Sequence, residues 1–349
     1  MAISERENKL RALEKRNPEW IPCSVGISLT TWLHYGEKPL RPIVKRYEHL
    51  ITGEMDKNPN LEHMENGYEL GDYRDNWGNL WRNVYRGAEG VVVEGPLEDE
   101  SQIGVFQPPD LETLGERGPR DWKKIEADIK AMRTRDEFTV GEGGRLFDMM
   151  YFLRGYENLM IDIALDSPNV PKIVDMLWEY DRKLIRKWLD IGVDLISFHT
   201  DIGTQNALMI APDKFRKYLK PWFKDIFTTI RKEGTHVHLS SDGYIGEIID
   251  DLIECGISSH DPQYRAFGID RIQSHFLDKP VCCVLDLDRQ LFPFCTPEEA
   301  YDHVREGVTA MARPEGGLQV QASINGATPL DNIVAICEAA DKYCIHWKG

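Results

Sequence analysis

Histidine and aspartate residues recur where predicted β-strands end in the second half of the chain. Four of the ten histidines fall within 62 residues: His199, His236, His238 and His260. Each lies near an aspartate, and the side chains of His236 and His238 point to the same side if they lie on a strand. Imidazole exchanges protons near neutral pH and binds metal ions, and a carboxylate can orient it. The cluster predicts an acid/base or metal site, with buried structural histidines as the other interpretation.

The same strand ends supply a candidate for each role in such a site. We predict that His236 or His238 is the catalytic acid. Asp242 or Asp201 is predicted to orient it. His238 and His260 are the predicted ligands of a bound metal. The residues predicted to contact the substrate are His199, Asp286, Asp288, Gln321, Trp32 and Trp77.

From about residue 136 the chain has the pattern of repeated βαβ units, because short apolar runs alternate with stretches of helical periodicity. No GxGxxG motif follows a predicted strand, so a Rossmann sheet with a nicotinamide cofactor is disfavoured. The pattern predicts an α/β fold, a (β/α)8 TIM barrel whose main part is residues 136–349. Reactive groups of such barrels gather at the carboxyl ends of the strands. Acidic residues on the predicted helices, such as Asp181, are expected to be solvated.

Residues 1–135 are predicted to form an N-terminal helix and an aromatic-rich cap that is integrated with the barrel. The helix is predicted over residues 2–16. Five of the nine tryptophans precede residue 130, which is more aromatic mass than a linker carries. Residues 77–84 and 90–96 are predicted as two short strands around a turn. Trp32 and Trp77 either wall an aromatic substrate or pack in the core.

The charge balance excludes some classes of partner. The 349 residues include 42 Lys plus Arg and 58 Asp plus Glu, a net charge of −16. Nucleic acid and anionic membranes both require a basic surface, so neither is expected as a partner. No apolar run approaches the roughly 20 residues of a membrane span, and seven cysteines without a CxxC motif suggest reduced thiols. We expect a cytoplasmic enzyme, and a homo-oligomer is compatible with the sequence.

Several short motifs follow one another in a recognisable order. They are residues 201–205 (DIGTQ), 210–215 (IAPDKF), 219–221 (LKP), 234–243 (GTHVHLSSDG), 255–257 (CGI), 294–299 (FCTPEE) and 329–333 (PLDNI). In this order they resemble the uroporphyrinogen decarboxylase superfamily over about residues 135–345. The N-terminal third resembles it loosely, mainly at residues 75–78 (DNWG). The resemblance implies a TIM barrel that decarboxylates tetrapyrrole side chains or moves methyl groups to or from corrinoids.

Two departures from the family pattern narrow the function. The decarboxylases carry an arginine-rich motif near the N-terminus, whereas residues 20–26 (WIPCSVG) contain no arginine, so a polycarboxylate substrate is disfavoured. Members that methylate thiols bind zinc through a His-x-Cys strand end and a late Cys. Here Ser240 follows His238 in place of the first thiolate, and the second would fall near residues 322–323. The remaining nitrogen and oxygen donors either hold Zn²⁺ as a Lewis acid or form an acid/base cluster without metal.

The resemblance therefore implies a methyltransferase of the O-demethylase type. Such an enzyme takes a methyl group from a small methylated donor, for example a methoxylated aromatic, and places it on the corrinoid of a separate carrier protein. The ether oxygen must be protonated or metal-bound to leave, a task that suits histidine and aspartate at strand ends. The alternatives are a decarboxylase of a small carboxylic acid on this scaffold, and a catalytically degenerate member that serves as a binding partner.

Overall fold

The structure is a computed structural model that describes residues 3–347. Within these residues the strands are β1 (Cys23–Ile27), β2 (Gly71–Arg74), β3 (Leu80–Asn83), β4 (Val91–Glu94), β5 (Val140–Glu142), β6 (Leu195–His199), β7 (His236–Ser240), β8 (Ser259–His260), β9 (Cys282–Asp286) and β10 (Leu318–Ile324). The α-helices are α1 (Glu5–Leu13), α2 (Leu29–Tyr35), α3 (Glu37–Arg46), α4 (Glu54–Lys57), α5 (Trp122–Thr134), α6 (Leu146–Arg154), α7 (Tyr156–Ala164), α8 (Asn169–Ile191), α9 (Pro212–Lys214), α10 (Lys220–Lys232), α11 (Ile249–Cys255), α12 (Tyr264–Phe267), α13 (Ile269–Phe276), α14 (Pro297–Met311) and α15 (Leu330–Ala340). Every helix among residues 3–347 is too short or too polar to cross a bilayer.

The chain forms two compact units that interleave in sequence. The first unit comprises Met1–Glu69, Tyr85–Glu89 and Asp261–Gly349, and the second comprises Leu70–Val84 and Gly90–His260. The predicted boundary at residue 135 does not coincide with a boundary of either unit. The difference arises because both units draw on residues from the two sides of that boundary.

The second unit contains four parallel strands in chain order. β5 pairs with β6, β6 with β7 and β7 with β8. The helix α8 buries an apolar stripe that includes Ile173, Leu177 and Trp188. Because helices separate successive parallel strands, the α/β class is confirmed, and the strand order is consistent with a TIM-barrel-like fold.

A small antiparallel sheet also belongs to the second unit. β3 pairs with both β2 and β4. The two predicted short strands correspond to β3 and β4, and Trp81 on β3 is almost fully buried. The short-strand prediction is therefore confirmed, and the structure adds β2.

The first unit contains three parallel strands. β10 lies between β1 and β9, with Val25 beside Ala322 and Gln321 beside Asp286. The helix α14 follows β9 and begins with a capping box, in which the Thr296 hydroxyl accepts from the Glu299 amide and the Glu299 carboxylate accepts from the Thr296 amide. The prediction assigned residues 1–135 to a helix and cap, whereas β1 is a parallel strand of the same sheet as β9 and β10.

The carboxyl group of Asp181 is buried in the second unit, so the expectation that it is solvated is wrong. Asp181 follows Leu177 by four residues and precedes Leu184 by three, which places it on the buried face of α8. Its side chain is 5% exposed. The indole Nε1–H of Trp222 donates to its Oδ2 at 3.1 Å. Burial raises the pKa of Asp181 to about 8.

Replacing Asp181 by asparagine is expected to make stability less dependent on pH. The folded protein keeps this proton up to about pH 8, whereas the unfolded chain releases it near pH 4. The free energy of unfolding of the wild type therefore falls as pH rises between those values. The free energy of unfolding of Asp181→Asn relative to wild type should therefore increase over this pH range and stay constant above it. Urea unfolding at pH 5, 7 and 9 measures the difference, with exposed Asp190→Asn as control. A pH-independent difference would contradict a buried, protonated carboxyl group.

Candidate active site

His199 and His238 lie on neighbouring strands and on the same face of the sheet. In the parallel register Ser197 stands beside His238, and His199 stands beside Ser240. Phe198, one position from His199, is fully buried, and its ring packs 5.7 Å from an indole of α10. Side chains alternate along a strand, so the two histidines project from the face opposite this helix.

Serine hydroxyl groups hold both imidazoles. His238 Nδ1 is 2.9 Å from Ser259 Oγ, and His199 Nε2 is 3.1 Å from Ser197 Oγ. Desolvation lowers the pKa of each histidine to about 4, although part of His199 remains exposed to solvent. His238 and Arg145 lower the pKa of His199 further, because each can add positive charge nearby. Both imidazoles are therefore neutral at neutral pH.

His236 is held at the opposite, amino-terminal end of β7. Its Nδ1 lies 3.0 Å from an Arg231 guanidinium nitrogen and 3.2 Å from Ser258 Oγ. The guanidinium can only donate, so Nδ1 accepts. His236 is 5% exposed. His236 and His238 lie on the same side of β7, as predicted. The contacts with Arg231 and Ser258, however, indicate a structural role for His236.

Asp201 and Asp242 join the loops that follow β6 and β7. The Asp201 carboxylate accepts a hydrogen bond from the backbone N–H of Asp242 at 2.8 Å. The backbone N–H of Asp201 in turn donates to Asp148 Oδ1 at 2.9 Å. These bonds fix the carboxyl ends of two strands relative to the segment after β5. That either aspartate orients an imidazole stays a prediction.

Asp148 and Tyr151 are functional candidates that the sequence reasoning missed. Asp148 is 3% exposed, the Tyr151 hydroxyl donates to its carboxylate at 2.8 Å, and Arg145 Nε lies 3.3 Å from it. Burial raises the pKa of Asp148 to about 6, against the opposing effect of Arg145. Burial and Asp148 raise the pKa of Tyr151. One feature of the sequence could have pointed to Asp148, because it is an acidic residue in the first turn of a helix that follows a predicted strand.

Two predicted substrate contacts stand side by side in the first unit. Asp286 is 4% exposed and stands beside Gln321 in the register of β9 and β10. Gln321 Nε2 is 3.5 Å from the Asp261 carboxylate. The first unit thus brings an amide and two carboxylates to one place, as expected for residues at neighbouring strand ends.

The two other predicted contacts in the first unit have structural surroundings. The Asp288 carboxylate pairs with Arg265 at 2.8 Å and accepts two backbone N–H groups of the following turn. Trp32 is fully buried, and its indole N–H donates to the Asp56 carbonyl at 3.0 Å. Trp32 therefore packs in the core and does not wall a site, because no part of the indole is accessible.

A buried carboxylate positions Trp77 in the second unit. Asp75, 7% exposed, accepts hydrogen bonds from the backbone N–H groups of Trp77 and Asn79, from the Asn79 side chain and from the indole of Trp81. The Trp77 ring packs edge-on against Tyr180 at 4.8 Å and lines a small cavity. The motif at residues 75–78 is thus a local framework for two indoles.

Replacing Asp75 by alanine is expected to cost about 3 kcal/mol of stability, because it leaves buried donors without an acceptor. Asp75→Asn keeps one acceptor oxygen and should cost less. Urea unfolding followed by tryptophan fluorescence measures both. Equal and small losses for the two variants would show that the Asp75 carboxylate does not organise this loop.

The predicted pair of metal ligands does not converge. The register places His260 beside Leu239 and His238 beside Ser259, so His238 and His260 lie on opposite faces of the sheet. His260 is fully buried, and its Nδ1–H donates to the Leu239 carbonyl at 2.7 Å. Among residues 3–347, no three His, Cys, Asp or Glu side chains are grouped to hold a metal ion. The predicted donors His238 and His260 therefore do not fit a zinc site.

Comparison with known proteins places these features in a family context. A family model described as uroporphyrinogen decarboxylase (URO-D) matches residues 88–343. No curated protein matches the chain. Among solved structures, a methyltransferase from Methanosarcina mazei has a TM-score of 0.64 at 16% identity, covering 98% of this chain and 99% of that chain. A Xanthomonas albilineans dihydropteroate synthase with 4-aminobenzoic acid has a TM-score of only 0.35 at 11% identity, covering 56% and 65%. The similarity to the Methanosarcina mazei methyltransferase establishes a shared fold.

Proposed function

The chain belongs to the uroporphyrinogen decarboxylase family, and we propose that within it this protein is a methyltransferase. The proposed reaction moves a methyl group from a small methylated donor, such as a methoxylated aromatic, to a corrinoid on a partner protein. The observation that carries the proposal is the neutral pair His199 and His238 on one face of β6 and β7. An uncharged pair suits an ether better than a polycarboxylate, which would require cations. The fold shared with a methyltransferase adds support.

The proposed chemistry is nucleophilic substitution at the methyl carbon. The electron pair of the acceptor forms the new bond to carbon, and the electron pair of the C–O bond stays on the leaving oxygen. A neutral imidazole offers one N–H, and when the Ser259 hydroxyl donates to His238 Nδ1, that proton lies on Nε2. We propose that His238 hydrogen-bonds the oxygen as negative charge develops on it. His199 is the second donor.

Asp148 is proposed to act as a positioning residue. It binds Arg145 and Tyr151 on its own segment and the backbone of Asp201 on the next loop. Asp201 extends the chain of bonds to Asp242. The network fixes three strand ends around the histidines, which keeps the donor in a reactive geometry. That Asp286 and Gln321, or separately Trp77, contact a substrate stays a prediction.

Methyl transfer can be tested with the purified chain, a cob(I)alamin-loaded carrier protein and a panel of methoxylated aromatics. Formation of methylcobalamin, followed by its absorbance, with stoichiometric release of the phenol is the expected result. Release of CO2 from a small carboxylic acid without cobalt would instead establish the decarboxylase alternative. Absence of both reactions across the panel would favour the binding-only alternative.

A further inference from the structure

A small cavity in the second unit is lined by groups other than the two histidines that carry the proposed function. It has a volume of about 40 Å³. One water needs roughly 10–15 Å³ of such space, so the cavity has room for about three waters or an ion of three or four heavy atoms. Its polar and aromatic lining includes Trp77, Arg120, Gly144, Arg145, Tyr180 and Asp181.

The Arg120 guanidinium lines this cavity, interacts with the Tyr180 hydroxyl and carries one donor without an acceptor within residues 3–347. Its side chain is 8% exposed, and Nη1 is buried without a hydrogen-bond acceptor among the described residues. Nη2 is 3.4 Å from the Glu142 carboxylate, whose side chain is 60% exposed. A buried donor of a charged group without an acceptor is costly, so an acceptor in the cavity would stabilise Arg120.

Asp181 presents a second donor. Its Oδ2 accepts from the Trp222 indole, and burial keeps the group protonated at neutral pH, which places the acidic proton on Oδ1. A Cβ atom at Gly144 would overlap this carboxyl group. The backbone of Gly144 therefore packs closely against this carboxyl group, and both residues line the cavity.

We infer that this cavity is a binding site for a small carboxylate ion of formate or acetate size, held by Arg120 and Asp181. One carboxylate oxygen accepts from Arg120 Nη1 and the other accepts from the Asp181 Oδ1–H. Hydrogen bonds that involve an ionised partner are shorter and about twice as strong as neutral ones. The carbon end meets Met149 and Leu177, which complete the lining.

The other charged groups at the cavity do not neutralise Arg120 fully. Glu116 pairs with Arg145 at 3.3 Å. Glu142 is open to solvent, so water screens its attraction to Arg120. The inference stands independently of the proposed methyl transfer.

The test is titration of the full-length protein at pH 6.5 with sodium formate, acetate and butyrate, measured by calorimetry against a sodium chloride control of equal ionic strength. We expect saturable one-site binding of formate and acetate, and at least tenfold weaker binding of butyrate because of its size. No saturable binding would mean that only water fills the cavity and would overturn the inference. Equal binding of chloride would overturn it too.

Variants locate the site. Arg120→Gln and Gly144→Ala are each expected to weaken acetate binding at least tenfold, the first by removing the cation and the second because the added methyl group displaces the Asp181 carboxyl group. Arg182→Gln, on the exposed side of α8, should leave binding unchanged. Asp181→Asn keeps a donor and should bind within about threefold of wild type. If Arg120→Gln does not fold, Gly144→Ala decides, and binding unaffected by the alanine would overturn the inference.

Discussion

Replacing His238 by alanine is expected to lower kcat/KM for methyl transfer by about 10²–10⁴-fold, the usual range for a positioned proton-transfer or hydrogen-bonding group. His238 lies beside Ser197 and Ser259 in the register, at the centre of the polar face. Loss of its N–H leaves the developing oxyanion without its main donor. Single-turnover formation of methylcobalamin measures the effect directly.

His236→Ala is the matched control for this substitution. His236 lies on the same strand and carries the same chemistry, but Arg231 and Ser258 hold its ring at the other end. We expect transfer within about threefold of wild type after correction for any loss of folded protein. Equal losses at His236 and His238 would contradict the assignment of the donor.

The pH profile separates two roles for His238. Its pKa is lowered to about 4, so an N–H donor stays neutral and equally effective between pH 6 and 8. A cationic acid with that pKa would lose a factor of ten in population for each pH unit over the same range. We expect no such slope from this residue in wild type. A tenfold decline per pH unit that disappears in His238→Ala would establish the imidazolium as the acid.

Much of the fold follows from local sequence patterns. Short apolar runs between helical stretches predict the strands β6 and β7, and the alternation of side chains along a strand places His236 and His238 on one side. The strand β1 was missed because residues 23–27 contain serine and glycine and follow a proline. Its strand conformation depends on pairing with β10, a contact remote in sequence. Propensity alone cannot encode such a partner.

The site required the strand register, which single-sequence patterns do not contain. His260 was grouped with His238 because both lie at strand ends near an aspartate, yet the register of β7 and β8 puts them on opposite faces. Asp148 was overlooked because an apolar run on α6 surrounds it. Asp181 was assigned to solvent from its charge, although its spacing from Leu177 and Leu184 already indicated the buried face. For the burial of Asp181, the helical periodicity of its neighbours was a better guide than its charge.

Replacing Asp148 by asparagine is expected to lower kcat by about 10²-fold with little change in KM, because small displacements of reacting groups have effects of that size. The carboxylate has two oxygens to share among Arg145, Tyr151 and the Asp201 amide, whereas asparagine offers one. Tyr151→Phe removes a single donor and should have a smaller effect. Methyl-transfer kinetics at pH 5 to 8 measure both variants.

The pH dependences of activity and of stability should run in opposite directions if Asp148 positions the site. Its pKa is raised from 3.8 to about 6, so the folded protein binds this proton more tightly, and stability relative to Asp148→Asn falls as pH rises to about 6. The full change is about 3 kcal/mol at 1.36 kcal/mol per pKa unit. Activity should instead rise through pH 6, because the ionised carboxylate accepts all three hydrogen bonds. A residue needed only for folding would make activity follow stability, so parallel curves in the wild type would exclude the positioning role.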